Sequence, residues 1–378
     1  KRIRRAGGRG MTAHQLRRFM LLIIATLIAV GCVAVYSATA VIAHEAYGQS
    51  HYFVISHLLA VVVGLGLGLA CLAVPEPALR RLAKIGVGVS LAALAAVLLF
   101  GLEVGGAQRW FRIGRFGIQP SEFAQLALVL YLADFLARKQ DAVRDLRRGF
   151  LPPMLVTMLM AGLVLLEPDL GTTIVMGAVS LLLLVVAKAR RKHLGATLVA
   201  GVIAFIALVG MEEYRLRRLL AFLDPWKDPQ GAGFQIVQSY LAMANGGLFG
   251  QGLGGSMQKL FYLPGVHTDF IFALIGEELG LVGTTAVLGL FALLVICGIR
   301  LAMWAEDPFR KYLICGCVGL IGLEAIVNMA VVTGVLPTKG LPLPLVSYGG
   351  TAMISNMLAC ALMLHASRHR IADCRLRI

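Results

Sequence analysis

Apolar residues arrive in runs of near spanning length, separated by short polar or Gly/Pro-rich breaks. A helix needs about 20 apolar residues to cross a bilayer. The runs predict about ten spans, near 19–43, 53–74, 85–102, 123–137, 152–166, 170–187, 194–211, 270–299, 313–333 and 351–367. The fourth to sixth are short. The expected fold class is therefore an all-α polytopic membrane protein. Residues 1–18 form a basic tail, 19–367 the ten-helix domain and 368–378 a second tail. A large loop, 212–269, joins helices seven and eight. An even number of spans puts both termini on one side.

Composition agrees. The 378 residues are 58% hydrophobic, with mean hydropathy +0.82 and net charge +15. The charge raises the question of nucleic acid, but its distribution answers it. Of the 35 Lys and Arg, 26 fall in the tails and loops on the side of the termini. That bias places both termini in the cytoplasm. The tail KRIRRAGGRG then reads as an orientation and lipid-headgroup signal, and no nucleic-acid partner is expected. It lacks the apolar core of a cleavable signal peptide, so the first span serves for targeting. Six of the seven cysteines lie in spans, with no disulfide framework or metal spacing. They read as packing residues.

Polar residues gather in four clusters, all on the other side. In RWFRIGRFGIQPSE, Trp110, Phe111 and Phe116 alternate with Arg109, Arg112 and Arg115, a pattern expected of an interfacial or re-entrant segment. The break EPDLG (167–171) suits a hairpin turn. The long loop carries a Gly-rich run, NGGLFGQGLGGS, at 245–256. It lacks the Gly-Lys-Ser/Thr ending of a P-loop, which excludes a nucleotide reading. The stretch LPTKGLPLPLVSYGG (336–350) is too rich in Pro and Gly for a continuous helix. Such backbone at membrane depth belongs in protein or along a cavity. Asp269 sits where the long loop meets the eighth span. A carboxylate there is costly unless it is buried in protein, paired or facing water, so it is a site candidate. Thr268 or Asp269 also fits a helix N-cap. The clusters together supply carboxylates (Glu122, Asp169, Asp269), cations (Arg109, Lys259, Lys339) and rigid backbone, a composition suited to an anionic, amphipathic substrate. Glu277, Glu278, Glu324 and Asn328 are further polar residues inside the spans; Glu324 and Asn328, four apart on one helix face, read as helix–helix hydrogen-bonding residues rather than a proton relay.

At these residues the chain resembles the SEDS family (FtsW, RodA, SpoVE) over roughly 19–368. RWFRIGRFGIQPSE, EPDLGT, the stretch from RLLAFLDPW through QKLFYLPGVHTDFIFALIGEELG, and VLPTKGLPLPLVSYGG carry the likeness. Gln-Lys-Leu after GGS and Pro-Thr-Lys-Gly before the last span place it nearer the FtsW/SpoVE branch. The resemblance implies a peptidoglycan glycosyltransferase of the bacterial inner membrane that polymerises lipid II for the septal wall. Its implied partners are a class B penicillin-binding protein and other divisome proteins. It implies Asp269 as catalytic carboxylate and marks Arg109, Trp110, Glu122, Asp169, Gln238, Lys259, His267, Lys339 and Ser347. Three positions depart from the family pattern. Gln125 stands where a Lys is usual, Gly265 follows Pro264 in place of Glu, and Phe261 replaces an acidic residue. Without that Lys, Glu122 needs another partner or a raised pKa.

The implied chemistry has Asp269 as general base on the acceptor 4-hydroxyl. Arg109, Lys259 and Lys339 are candidates to meet the leaving pyrophosphate. A divalent cation (Mg²⁺ or Mn²⁺) is compatible, with no dedicated cage and no organic cofactor. Two other classes fit the spans and the polar cavity: a lipid II flippase and a non-catalytic scaffold that recruits the cross-linking partner.

Overall fold

The computed structural model describes residues 11–104, 107–113, 116–259, 263 and 265–368. Among the described residues, twelve α-helices and one small sheet form the framework, with short 3-10 and π turns between them. They run α1 (Ala13–Tyr47), α2 (Tyr52–Ala73), α3 (Glu76–Phe100), β1 (Leu102–Val104), β2 (Ala107–Ile113), β3 (Phe116–Ile118), α4 (Pro120–Arg138), α5 (Leu151–Leu166), α6 (Leu170–Val186), α7 (Arg191–Gly210), α8 (Glu213–Leu223), α9 (Phe234–Gly246), α10 (Ile271–Trp304), α11 (Pro308–Val332) and α12 (Gly350–Ser367). Among the described residues, nine helices are long and apolar enough to cross a membrane. The tenth expected span is α6, whose 17 residues reach about 26 Å, a little under the hydrocarbon thickness. The chain is thus a multi-pass membrane protein, and the expected spans are all present as helices.

The edges differ from expectation in instructive ways. Helix α1 begins at Ala13, inside the expected tail, because Thr12 and Gln15 form a capping box. Residues 1–10 and 369–378, which make up most of the two tails, lie outside the described residues. The segment expected to be interfacial or re-entrant is a three-stranded antiparallel sheet, β1–β2–β3. Arg109 and Arg112 are three apart and so fall on opposite faces of β2, which is why the stretch shows no two-residue period in the sequence. The chain remains essentially all-helical, and the sheet replaces only the interfacial or re-entrant segment expected there. Arg115 and the side chain of Phe116 fall outside what is described.

Helices α4, α11 and α12 are the most buried and form the centre. Small residues let neighbours approach, as expected where helices meet in lipid. Gly64 and Gly68 of α2 lie on Met357 and Ala361 of α12. Helix α7 is peripheral, with Val209 its one buried residue among those described.

The feature that shapes the site is a break in α10. Gly280 takes φ 67 and ψ −161 inside an otherwise helical run. The backbone groups freed there pair with the Gly-rich loop. The amides of Gln251 and Gly252 donate to the carbonyls of Glu277 and Glu278 at 2.9 and 3.0 Å. The amides of Leu281 and Val282 donate to Gly247 and Leu248 at 2.9 and 3.2 Å. A side chain on Gly246 or Gly250 would collide with the carbonyl oxygens of Gly276 and Glu278. The glycines of this run therefore serve close backbone approach. Glu277 and Glu278 complete the junction. Glu277 accepts from Ser256 Oγ and the amides of Met257 and Gln258. Glu278 accepts from Ser37 Oγ of α1 at 2.5 Å and pairs with Lys259 Nζ at 3.1 Å. Glu277 thus holds the loop, while Glu278 ties both the loop and helix α1 to α10.

Candidate functional site

Asp269 lies on a tight turn that leads into α10. Gly265 takes φ 73, and its carbonyl accepts the amides of Thr268 and Phe270 at 3.0 and 3.2 Å. Positive φ is strained for a residue with a side chain, so the glycine at this departure from the family pattern relaxes the turn. The N-cap of α10 is Phe270, with no side-chain cap bond, which corrects the expectation that Thr268 or Asp269 caps the helix. Among the described residues the Asp269 carboxylate has no hydrogen bond of its own.

The segment is held by its main chain. Tyr348 N donates to His267 O at 2.9 Å, and Ser347 Oγ donates to Thr268 O. Asn328 Nδ2 of α11 donates to Asp269 O and Leu341 O at 2.8 and 2.7 Å. Asn328 therefore bonds two loops, where helix–helix bonding was expected. The segment 336–349 thus closes over the turn, and Gly340 lies against the carboxylate itself. A Cβ there would be 3.0 Å from Asp269 Oδ2.

The EPD turn meets the same place. Arg109 of β2 donates from Nε to Glu167 O at 2.6 Å and from an Nη to Pro168 O at 2.7 Å. Asp169 caps α6, accepting Thr172 N at 3.1 Å and Thr172 Oγ1 at 2.9 Å. Gly171 packs on Leu341 of the covering segment. Burial, followed by the charge of Asp169, pushes the Asp269 pKa up to about 7, against the pull of Arg218 and Arg109. Burial and then Asp169 push Glu167 up to about 8. Both oxygens of Glu167 are buried without a partner among the described residues. Burial brings Lys339 down to about 8, with Asp169 opposing. Among the described residues Lys339 has no ion pair, and its Nζ lies 5.4 Å above the Phe205 ring of α7.

Asp269, Asp169, Arg109, His267, Lys339 and Ser347 are thus brought together, with Ser347 as a pin. His267 rests on Phe53 and Tyr348, and burial lowers its pKa. Trp110 lies one residue from Arg109, its ring against Gly117 of β3. Glu122 is buried in the first turn of α4, within the electrostatic reach of Asp169 and Glu324, while Gln125 faces Glu324. Two expected residues take other places. Lys259 is consumed by Glu278, Ser37 and Gly254 O at the break in α10. Gln238 sits half-buried on α9, beside Ser239, which binds Val332 O. Arg218 of α8 and Glu167 belong to the site and were missed. Arg218 lay in the long loop 212–269, where no helix was read, and Glu167 in a break read as a hairpin turn. Phe261 lies outside the described residues.

Comparison with known proteins agrees with this geometry. The sequence model of FtsW, RodA and SpoVE, described as a cell cycle protein, matches residues 17–372. The chain is 43% identical over 353 residues to a probable peptidoglycan glycosyltransferase FtsW of Trichlorobacter lovleyi, covering 92% of each. It is 38% identical to stage V sporulation protein E of Bacillus subtilis, covering 95% of this chain and 99% of that one. One solved chain comes from work described as the structural coordination of polymerization and crosslinking by a peptidoglycan synthase complex. It superposes with TM-score 0.77 at 31% identity, over 93% of this chain and 98% of that one. The rod shape determining protein RodA of Thermus thermophilus superposes with TM-score 0.68 at 27% identity, over 93% and 97%. The motifs that converge on Asp269, the ten apolar helices and these likenesses together place the chain in the FtsW/RodA/SpoVE family.

Proposed function

We propose that the chain is a peptidoglycan glycosyltransferase that polymerises lipid II for the septal wall, with Asp269 as general base. One observation carries the reading. Three separate stretches, HTDF, EPDLGT and PTKG–SYGG, fold around a single carboxylate that has no hydrogen bond of its own among the described residues.

Asp269 takes the proton of the acceptor 4-hydroxyl as that oxygen attacks the anomeric carbon of the donor. The new glycosidic bond forms as the carbon–oxygen bond to pyrophosphate breaks, and the pyrophosphate leaves with the electron pair. A carboxylate whose pKa is pushed up to about 7 is partly ionised at neutral pH and basic enough to hold the proton. Lys339 meets the departing charge, and Arg109 and Arg218 add positive potential at Asp269. A pyrophosphate leaves without a protein acid.

Among the described residues no three His, Cys, Asp or Glu side chains gather as a metal cage. Mg²⁺ or Mn²⁺ would instead take one or two of Asp169, Glu167 and Asp269 together with substrate phosphate. It would neutralise charge on the pyrophosphate, and no step above depends on it. The charge bias supports a site on the outer face of the inner membrane. The likeness to a synthase complex supports a class B penicillin-binding protein as partner, within the division machinery.

The test is lipid II polymerisation by the purified protein, with and without that partner, beside Asp269→Asn. Glycan strands from the parent and none from a folded variant support the reading. Transbilayer movement of lipid II that survives the substitution, with no polymer, favours a flippase. Partner binding with no polymer under any condition favours a scaffold.

A further inference from the structure

A row of aromatic side chains runs from the α1–α2 turn to the segment that carries Asp269. Tyr47 closes α1 and Tyr52 opens α2, with Gly48 at φ 68 reversing the chain between them. The two tyrosine rings stack with centroids 4.1 Å apart and planes at 14°. Phe53 stands edge-on to both, at 5.9 and 5.5 Å. Phe53 then meets His267 at 5.8 Å and Tyr348 at 5.5 Å. His267 and Tyr348 are 5.7 Å apart. His267 precedes Asp269 by two residues.

The row lies at the depth of the site. Helices α1 and α10 run antiparallel and touch at Ser37 and Glu278. Ten residues from that contact, toward the same end of the bundle, the two chains reach Tyr47 and Thr268. The shelf and the carboxylate therefore share one level.

Aromatic side chains at a membrane surface are ordinary, but a belt residue turns to lipid. These rings face one another and converge on the HTD turn. The polar atoms behind them are also unspent. His57 of α2 is buried, its ring 6.3 Å from Tyr348, and neither of its nitrogens has a partner among the described residues. His267 Nδ1 is likewise unpaired among them. Tyr47, at the outer end, remains 53% exposed. Ring faces with hydrogen-bonding capacity at their edge suit a hexopyranose. Its C–H face stacks on a ring, and its hydroxyl and acetamido groups need polar partners.

We propose that Tyr47, Tyr52 and Phe53 form a sugar-stacking shelf that holds an N-acetylated hexopyranose of the lipid-linked substrate, with His267 and Tyr348 at its inner end. The inference rests on the polymerase reading and adds to it the place where the sugar, rather than the pyrophosphate, is recognised.

Binding in nanodiscs, read by native mass spectrometry, tests it with two ligands: lipid II, and undecaprenyl pyrophosphate without sugar. The variants are Tyr47→Ala, Tyr52→Ala, their combination, and Tyr47→Phe. Each alanine is expected to weaken lipid II roughly fivefold, the value of one stacking contact. Binding of the sugar-free lipid is expected to stay unchanged, which also certifies the fold, and Tyr47→Phe to bind both like the parent. Equal losses for both ligands, or no loss for either, would overturn the shelf. Because binding is read without turnover, a sugar-selective loss in a protein that never polymerises would keep the shelf and remove the polymerase.

Discussion

At the residue scale, two ionisable groups set the pH range in which the site works. Asp269 must be ionised to take a proton, and its pKa is pushed up to about 7, so turnover should climb as pH rises through that value. Lys339 must be charged to meet pyrophosphate, and it loses its proton near 8. The rate profile should therefore be narrow, with its rising limb from Asp269 and its falling limb from Lys339. Lys339→Arg should carry the upper limb to higher pH; an unmoved limb would assign it to another group. Asp269→Asn should lower kcat by roughly 10²–10⁴-fold. The same substitution has a stability signature of opposite sign. A carboxyl whose folded pKa is raised costs stability once pH exceeds its unfolded value, and the cost is complete above the folded one. Melting of Asp269→Asn should match the parent near pH 4 and exceed it at pH 8. Asp269 was legible in the sequence because a charge at the edge of an apolar run announces itself. Lys259 misled, because its partner Glu278 is reached only by folding an irregular loop back on a broken helix. Arg218 was hidden for a similar reason, as a basic residue in a basic stretch gives no hint of which carboxylate it will face.

At the scale of elements, the junction between the Gly-rich loop and α10 makes the sharpest prediction. Gly280→Ala would force a side chain into positive φ, with its Cβ driven into the backbone nitrogen of Gly250. It should destabilise the protein by several kcal/mol, because strain and a backbone clash coincide. Gly289, further along the same helix with open space at its Cα, should tolerate alanine. Thermal melting in detergent separates the two. The buried pair beside it makes a second prediction. Lys259→Met alone strands Glu278 and should cost about 3–5 kcal/mol, whereas adding Glu278→Leu should recover much of the loss. Equal losses in the single and double variants would show that the pair does not act as a unit. The ten apolar helices were readable from hydropathy, since each is long enough for its pattern to accumulate. The strands, of 3, 7 and 3 residues, and the helices α8 and α9 were not. They are short, and tertiary contacts rather than their own periodicity decide them.

At the scale of the molecule, charge asymmetry and an even number of spans make one testable statement about orientation. An alkaline phosphatase reporter fused after Arg368 should be inactive in cells, and one inserted in the long loop, between Pro229 and Gln230, should be active. The reverse pattern would put the HTD turn on the cytoplasmic side and remove lipid II polymerisation from consideration. The site's assembly from β2, the EPD turn, the HTD turn and segment 336–349 could not be read from the chain, because every contact spans tens to hundreds of residues. Topology put these clusters on one side of the membrane, and the resemblance alone singled out Asp269 as the residue they would surround.

The frame around Asp269 is fastened almost wholly through peptide carbonyls and amides: Arg109 on Glu167 and Pro168, Ser347 on Thr268, Asn328 on Asp269, Tyr348 on His267. Every residue type brings the same peptide carbonyl, and every one but proline the same amide. Mutational drift can therefore exchange the side chains along this turn while the scaffold persists, as Gly265 illustrates. Such a site is free to evolve its control separately from its chemistry.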